Sequence, residues 1–591
     1  MYNIFISNHR IKGLIIFTIG PFLFSILTGG HPITIDGQFD DWNEVPLAYE
    51  DPGGDGTGAD FADLKITYDN HFLFLYLNFH SGEYLMQDWN SFYLYIDADN
   101  DLSTGYSISG IGAELVWFFG DRSGIQYING QEVGISQNDL TLRIGPTITS
   151  NQFEVAFSRE SDILTMNNSQ TLLEGKVIIK EDSPGSDILP NESGGIYFNI
   201  GEDYILDPTP ISFERNNESD IRIVSYNTLN GGMIEPERQP HFKRLMQAID
   251  PDVIAIQEHW DWNEIDDVVQ SWFPEETWHA SWTYRDLVVL SRFPILNDAN
   301  MISSERTMTA LLDTEQELGT SLLIFNSHLS CCSANDDRQE QVDEFTSKWR
   351  DWIYEHDGPF AIDHGTPFIH LGDFNFVGYR QQVETLRIGD IDDENEYGED
   401  YFPDWDESPI IDLFPRHTHK RMGYTWRNDW SSYNPGKLDY IFYSDATIEP
   451  GKHFIVNTLA MDQEALDYYG LNWNDTQEAS DHLPIIFDIS ISTNVGIELK
   501  SIQPEKFILL NNYPNPFNPV TKISIKSISK ALVNIQVLDI KGRNVETLFH
   551  GYLEDGFMKL EWNGVNHSSG VYFIKFKSKN SIYFRKIMLL K

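Results

Sequence analysis

Six short polar signatures follow one another along the chain: Ser225-Tyr226-Asn227, Gln257-Glu258, His328-Leu329, Gly372-Asp373-Phe374-Asn375, Leu438-Asp439-Tyr440-Ile441-Phe442 and Ser480-Asp481-His482. Hydrolysis of a phosphoester needs a cation to offset charge on a phosphoryl oxygen, an oriented water, and an acid or hydrogen-bond donor for the leaving oxygen. These residue types can fill all three roles. Asn227, Glu258 and Asp481 offer hard oxygen ligands, which suit Mg²⁺ or Mn²⁺ better than a thiolate-loving metal. No cysteine/histidine cluster has zinc spacing. Singly, each signature is weak; Asp-x-Asn after a strand is commonly an ordinary turn, because both side chains bond their own backbone. Asp439 is more telling, since a carboxylate inside an apolar run needs a partner to offset its desolvation.

The signatures sit at the ends of, or just inside, apolar runs that read as strands: Ile221 to Tyr226, Val253 to Ile256, Leu287 to Leu290, Leu322 to Asn326, Phe368 to Leu371, Tyr440 to Tyr443 and Pro484 to Ile489. Paired into packed sheets, such runs gather their polar tips at one edge. The stretches His241 to Ile249 and Asp336 to Trp352 fit helices, the second burying Val342, Phe345, Trp349 and Trp352 at helical spacing. Mixed strands and helices of this kind predict an α/β sandwich.

In order and combination, the signatures resemble the endonuclease/exonuclease/phosphatase superfamily over roughly residues 218–493. The resemblance implies a four-layered α/β sandwich and a divalent-metal-dependent phosphoester hydrolase. It further implies that Asp373 orients or deprotonates the attacking water and Asn375 holds a phosphoryl oxygen. His482 would contact the scissile phosphate with Asp439 fixing its far nitrogen, and His328 would be the second histidine. The run Leu287 to Ile295 also looks like a family strand and turn, but Arg285-Asp286 stands where small residues are common.

The 591-residue chain is acidic, with 90 Asp and Glu against 41 Lys and Arg and a formal charge of -49. That opposes nonspecific attraction to a polyanion, although a divalent cation can still recruit one. Charge is uneven: residues 500–591 hold 14 basic against 6 acidic side chains. This tail opens with Tyr513-Pro514-Asn515-Pro516-Phe517-Asn518-Pro519, whose prolines forbid a helix, and continues in alternating strands that predict a small Ig-like β-sandwich over 507–591. With Leu538-Asp539-Ile540-Lys541-Gly542-Arg543 and Gly570-Val571-Tyr572-Phe573, it resembles the C-terminal sorting domain of type IX secretion. The resemblance implies export by that machinery from a Bacteroidota-like Gram-negative bacterium, to the medium or the cell surface.

At the other end, His9, Arg10 and Lys12 precede an apolar run to Leu27 and small residues, a signal-peptide layout over 1–30. Residues 31–210 alternate strands with Gly/Asp-rich turns and read as a further β-sandwich. Ile35-Asp36-Gly37, Asp41-Trp42 and the run Tyr95 to Asp101 resemble carbohydrate-binding family 9 and DOMON-like domains, which implies a glycan or other surface ligand. Asp97, Asp99 and Asp101 could point their oxygens at one Ca²⁺, or form a solvated turn. A linker is expected at 494–506.

Only two cysteines occur, Cys331 and Cys332, adjacent and just past His328; they could close a vicinal disulfide or stay reduced. Trp260, Trp262, Trp272, Trp278, Trp282, Trp426 and Trp430 could stack on bases, enter a lipid interface, or simply fill the core. The acidic stretch Asp390 to Asp406 would repel a polyanion if it bordered the cleft. The leading expectation is an exported metal-dependent phosphodiesterase whose substrate is a small ester, a phospholipid or a nucleic acid. An extracellular nuclease and a non-enzymatic surface-binding protein are the alternatives.

Overall fold

The computed structural model describes residues 30–491 and 507–591, apart from 57, 166–170, 184, 202–206, 261–263, 284, 514–516, 528–530, 540–542, 554–555 and 578–581. The expected signal peptide, except Gly30, and the expected linker lie outside the described residues. The chain divides into two compact units, Met1–Thr493 and Asn494–Lys591.

In the first unit, two six-stranded sheets pack face to face. One runs in the order His279–Trp282, Val288–Ser291, Val253–Gln257, Ile221–Asn227, Ile485–Ile491, Ile448–Ile455. The other runs Ile295–Asn300, Thr307–Leu312, Leu322–His328, Phe368–Asp373, Asp439–Tyr443, Ile411–Asp412. Each contains a parallel pair, Ile221–Asn227 with Val253–Gln257 and Leu322–His328 with Phe368–Asp373. Parallel strands are buried on both faces and end together, so ligands collect at their carboxyl ends. Here those ends are Asn227, Gln257, His328 and Asp373.

Alternation along the strands sorts side chains into layers. Ile223, Ala255, Val289, Ile324, Leu371, Ile441 and Phe487 meet between the sheets. Val224, Ile254 and Leu290 turn outward onto the helix Gln239–Ile249, through its Phe242, Leu245, Met246 and Ile249. Behind the second sheet, Leu323, Phe325 and Phe368 meet Val342, Phe345, Trp349 and Trp352 of the helix Asn335–Glu355. The result is the expected four-layered α/β/β/α sandwich. Its strands run past the apolar stretches read from sequence to include Asn227, Gln257, His328, Asp373 and Asp439. Pairing continues there because the register sets Asn227 opposite Gln257, and Asp373 between His328 and Asp439.

Ahead of these layers stands a β-sandwich. Its five-stranded sheet includes Asp60–Tyr68, Phe72–Ser81 and Gln152–Ser158, and its second sheet includes Phe92–Asp97, Leu115–Phe118 and Glu174–Glu181. Leu64, Leu75, Phe92, Leu94, Phe153 and Val177 lie in the core between them. The sandwich is joined to the catalytic layers rather than tethered to them. Ile33, Ile35, Trp42, Phe74 and Tyr76 belong to the same apolar cluster as the inter-sheet residues, and Ile35 exchanges backbone hydrogen bonds with Arg421 (3.0 Å) and Gly423 (2.8 Å).

The motif that suggested a glycan is spent on this junction. Glu154, fully buried, accepts from the backbone N–H of Asp36 and of Gly37 (both 2.7 Å) through one oxygen and from Trp42 Nε1 (3.1 Å) through the other. Asp41 accepts from the Thr34 N–H (2.7 Å). Asp97, Asp99 and Asp101 do not converge as expected. Asp97 and Asp99 meet Glu114 instead, Lys176 pairs with Asp97 (3.3 Å), and Asp101 turns its carboxylate to Ser103.

The second unit is a β-sandwich of its own, with sheets Phe507–Tyr513, Val520–Ser527, Gly556–Asn563 and Asn544–Leu553, Ala531–Asp539, Gly570–Lys577, Ile582–Leu589. Val533, Ile535, Val537, Trp562, Ile574 and Phe576 form its core.

Removing one acceptor from three buried donors is costly. Glu154→Ala should destabilise the first unit by roughly 2–4 kcal/mol, read from urea unfolding, with β-sandwich and catalytic signals shifting together. A shift of the β-sandwich signal alone would contradict a shared core.

Candidate active site

The six signatures converge. Asn227 closes its strand with Nδ2 donating to Glu258 Oε1 and to Asp373 Oδ2, both at 3.0 Å, while its oxygen accepts from the Leu229 N–H (2.9 Å). Asn227 therefore aligns two carboxylates instead of offering them a third oxygen. Glu258 lies just past its strand with φ +60°, a left-handed turn that few non-glycine residues adopt, and its second oxygen accepts from the Asn230 N–H (3.0 Å).

Two imidazoles face Asp373 from opposite sides. His482 Nδ1 is 2.8 Å from Asp439 Oδ2, and its Nε2 is 3.8 Å from Asp373 Oδ2. His328 repeats the arrangement: Nδ1 is 2.6 Å from Asp286 Oδ2, and Nε2 is 3.8 Å from the same Asp373 oxygen and 4.0 Å from Glu258. In each case a carboxylate fixes which nitrogen points inward. Asp286 was missed as a functional residue, its only signal being that Arg285-Asp286 breaks the family pattern.

Burial shapes the charges. It would lower the His482 pKa, but Asp439, Asp373 and Asp481 outweigh it and hold the imidazole at about 10. His328 behaves likewise: burial pulls down, and the bond to Asp286 with the charges of Asp373 and Glu258 brings it above its ordinary value. Burial raises Asp373 to about 6, with Asp439 adding and the two histidines and Asn227 opposing. Both shifts favour the protonated imidazole, and both rings face the Asp373 carboxylate. Asn375, at φ +54°, donates its backbone N–H to Asp373 Oδ1 (3.0 Å) and an amide hydrogen to the Leu329 carbonyl (3.2 Å).

The donors suit a hard divalent cation. Glu258, His328 and Asp373 form one cluster able to hold an ion, and Asp373, Asp439 and His482 another. Asp481 belongs to neither, but it lines the same cavity, with one oxygen accepting from Trp426 Nε1 (3.1 Å) and the other buried without a partner. That unpartnered carboxylate oxygen fits a ligand of a hard cation.

Glu258, His328, Asp373, Asn375, Asp481 and His482 line a cavity of about 750 Å³. Part of its lining comes from the N-terminal β-sandwich: Leu85, Gln87, Asp88, Trp89 and Thr147. Asn90 Nδ2 ties the 85–89 loop through the carbonyls of Leu85 (2.7 Å) and Met86 (2.8 Å). Arg122 pairs with Asp88 and stacks over Tyr433, 4.1 Å from the ring centroid, and the Tyr433 hydroxyl donates to Asp88 (3.1 Å). Thr147 Oγ1 donates to the Phe376 carbonyl (2.8 Å). Of the tryptophans singled out in sequence, Trp260 and Trp426 line the cavity, Trp272 and Trp278 are buried in the core, and Trp262 lies outside the described residues. Trp89, 76 % exposed, was not anticipated. The acidic stretch Asp390 to Asp406 does not reach the cavity; it packs on the helix Asn335–Glu355, where Arg350 donates to the carbonyls of Tyr397 and Glu399. Cys331 and Cys332 line the cavity, with their Sγ atoms 2.6 Å apart.

Residues 224–482 match the Endonuclease/Exonuclease/phosphatase family. The match identifies within the chain a domain of the phosphoric ester hydrolase class. Residues 511–590 match the secretion system C-terminal sorting domain, which directs the protein through type IX secretion to the cell surface or the medium. None of the curated proteins matches the chain. Among solved structures, the human Nocturnin catalytic domain with bound sulfate is 14% identical and aligns over 48% of this chain and 100% of its own, TM-score 0.29. D. rerio TDP2 with single strand DNA product is 16% identical over 46% of this chain and 100% of its own, TM-score 0.30. ANGEL2, a 2',3'-cyclic phosphatase, in complex with adenosine-2',3'-vanadate, is 17% identical over 47% and 97%, TM-score 0.32.

The paired geometry gives Asp286 a positioning role through His328. Asp286→Asn should lower kcat roughly 100-fold with KM little changed, measured on any hydrolysed phosphodiester. Full activity in that variant would contradict it.

Proposed function

We propose that this domain is an exported, divalent-metal-dependent phosphodiesterase that takes small or chain-terminal phosphodiesters by in-line attack of water. The observation that carries the reading is the pair of carboxylate-anchored imidazoles aimed at one oxygen of Asp373 on the floor of a walled cavity. Glu258 and Asp481, which line the same cavity, would hold Mg²⁺ or Mn²⁺, and the bound ion would supply charge neutralisation at a phosphoryl oxygen.

The chain's own groups cover the remaining roles. Asp373 orients a water and accepts its proton as the new oxygen–phosphorus bond forms. His482, kept cationic by Asp439, donates from Nε2 to a nonbridging oxygen, and the second amide hydrogen of Asn375 is free to do the same. His328 donates its Nε2 proton to the ester oxygen as the old phosphorus–oxygen bond breaks. A non-enzymatic scaffold would have no use for two buried imidazole–carboxylate pairs aimed inward.

Substrate size and chemistry follow from the walls. A cavity of this volume suits a ligand of drug or nucleotide size, not a duplex lying across it. Arg306 is the one Lys or Arg among the described lining residues, so no basic track leads a polyanion in. Trp89, Trp260, Trp426 and Tyr433 offer flat faces on which a base or another aromatic group can stack. The same faces favour, as a second reading, a nuclease acting on single-stranded ends.

With Mn²⁺ or Mg²⁺, the protein should hydrolyse bis(4-nitrophenyl) phosphate and trim single-stranded oligonucleotides while leaving supercoiled plasmid intact, and His482→Ala or EDTA should abolish turnover. Efficient plasmid nicking would overturn the small-substrate reading. Trp89→Ala should raise KM for oligonucleotides roughly tenfold with kcat nearly constant; an unchanged KM would remove the β-sandwich from substrate binding.

A further inference from the structure

A second group of carboxylates lies in the N-terminal β-sandwich, apart from the catalytic cavity. The loop Asp51-Pro52-Gly53-Gly54-Asp55-Gly56-Thr57-Gly58-Ala59-Asp60 joins the strands Leu47–Glu50 and Asp60–Tyr68 of the five-stranded sheet. Asp187 immediately precedes the strand Ile188–Leu189 of the other sheet. One oxygen from each of Asp51, Asp55, Asp60 and Asp187 lies within 4.8 Å of the others.

Acidic loops are common, and most are simply solvated; this group has a buried side. Asp51 and Asp187 are each only 2 % exposed, and Asp51 Oδ2 is buried with no hydrogen-bond partner. The other contacts are neutral: Asn191 Nδ2 donates to Asp51 (2.9 Å) and Asp55 (2.8 Å), the Gly54 N–H to Asp60 (3.0 Å), and the N–H groups of Phe61 (2.7 Å) and Ile188 (2.6 Å) to Asp187. Such bonds orient carboxylates without cancelling their charge. Among the described residues no Lys or Arg forms an ion pair with any of the four, and the facing His80 spends Nε2 on the Asp51 carbonyl (2.9 Å). The Asp97, Asp99 and Glu114 group differs on this point, since Lys176 neutralises it.

We propose that Asp51, Asp55, Asp60 and Asp187 bind a calcium ion that staples the two sheets of the N-terminal β-sandwich. Calcium accepts six to eight oxygens in flexible geometry, toward which the three carboxylates of the glycine-rich loop and Asp187 offer up to eight; magnesium demands a tighter octahedron. Burial with the charges of Asp187, Asp55 and Asp60 raises the Asp51 pKa to about 7, and Asp187 is also raised, as expected of carboxylates held together without a counter-ion.

The test is thermal unfolding of the full exported chain in EDTA, in 1 mM Ca²⁺ and in 1 mM Mg²⁺. Calcium should raise the midpoint by about 5 °C and magnesium much less. Asp51→Asn should abolish the calcium shift yet be as stable as the unsubstituted protein, or more so, in EDTA, because the amide relieves repulsion. Should Asp51→Asn not fold, Asp55→Asn in the exposed part of the loop should abolish the shift. Asp99→Asn and Glu258→Gln should retain it, separating this site from the other acidic cluster and from the catalytic cation. A midpoint indifferent to calcium, or a shift that survives at Asp51 and Asp55 but disappears at Asp99 or Glu258, would overturn the proposal.

Discussion

Asp373 is the point on which the site depends. A carboxylate this deeply buried would ordinarily take up a proton, and an isolated buried imidazolium would lose one. Set between His328 and His482, with Asp286 and Asp439 behind them, each charge makes the next tolerable. Removing one partner of such a set leaves an uncompensated charge, which costs more than the pair is worth. The five groups come from both sheets: His328, Asp373 and Asp439 stand on neighbouring strands of one, Asp286 and His482 lie just before strands of the other, and face-to-face packing of the two makes them neighbours.

The N-terminal β-sandwich belongs to the same physical object. It shares an apolar core with the catalytic layers and is pinned to them by Glu154, by backbone bonds at Ile35, and by the Asp88–Arg122–Tyr433 cluster at the cavity mouth. Its residues Leu85, Gln87, Asp88, Trp89 and Thr147 wall one side of the cavity, and the proposed preference for small or chain-terminal substrates rests on that wall.

The catalytic layers were legible because strong signals coincided: apolar runs of strand length, each ending in a polar residue whose burial demands a partner. Helix and strand types followed from periodicity at the runs that were read, the pairing extends past them at polar residues such as His328 and Asp439, and the outer strands His279–Trp282, Ile295–Asn300, Thr307–Leu312, Ile411–Asp412 and Ile448–Ile455 were not read. Asp286 was not legible as His328's partner, since nothing local says that a carboxylate 42 residues away will meet its Nδ1. Trp89 was hidden for the same reason: its place on the cavity wall depends on how distant parts of the chain pack. Ile35-Asp36-Gly37 and Asp41-Trp42 were visible as a motif and misread in purpose: the spacing that suggests a ligand site equally builds a turn whose N–H groups and indole converge on Glu154. Asp97, Asp99 and Asp101 alternate in sequence, but strand pleating and the following turn separate the third from the first two and bring in Glu114.

The most direct test of the central claim is anomalous diffraction from crystals soaked with Mn²⁺ and inorganic phosphate. The account requires manganese on oxygens of Glu258, with phosphate oxygens in hydrogen-bond reach of Nε2 of both His328 and His482. Manganese bound through those imidazole nitrogens, or phosphate seated away from Asp373, would contradict it.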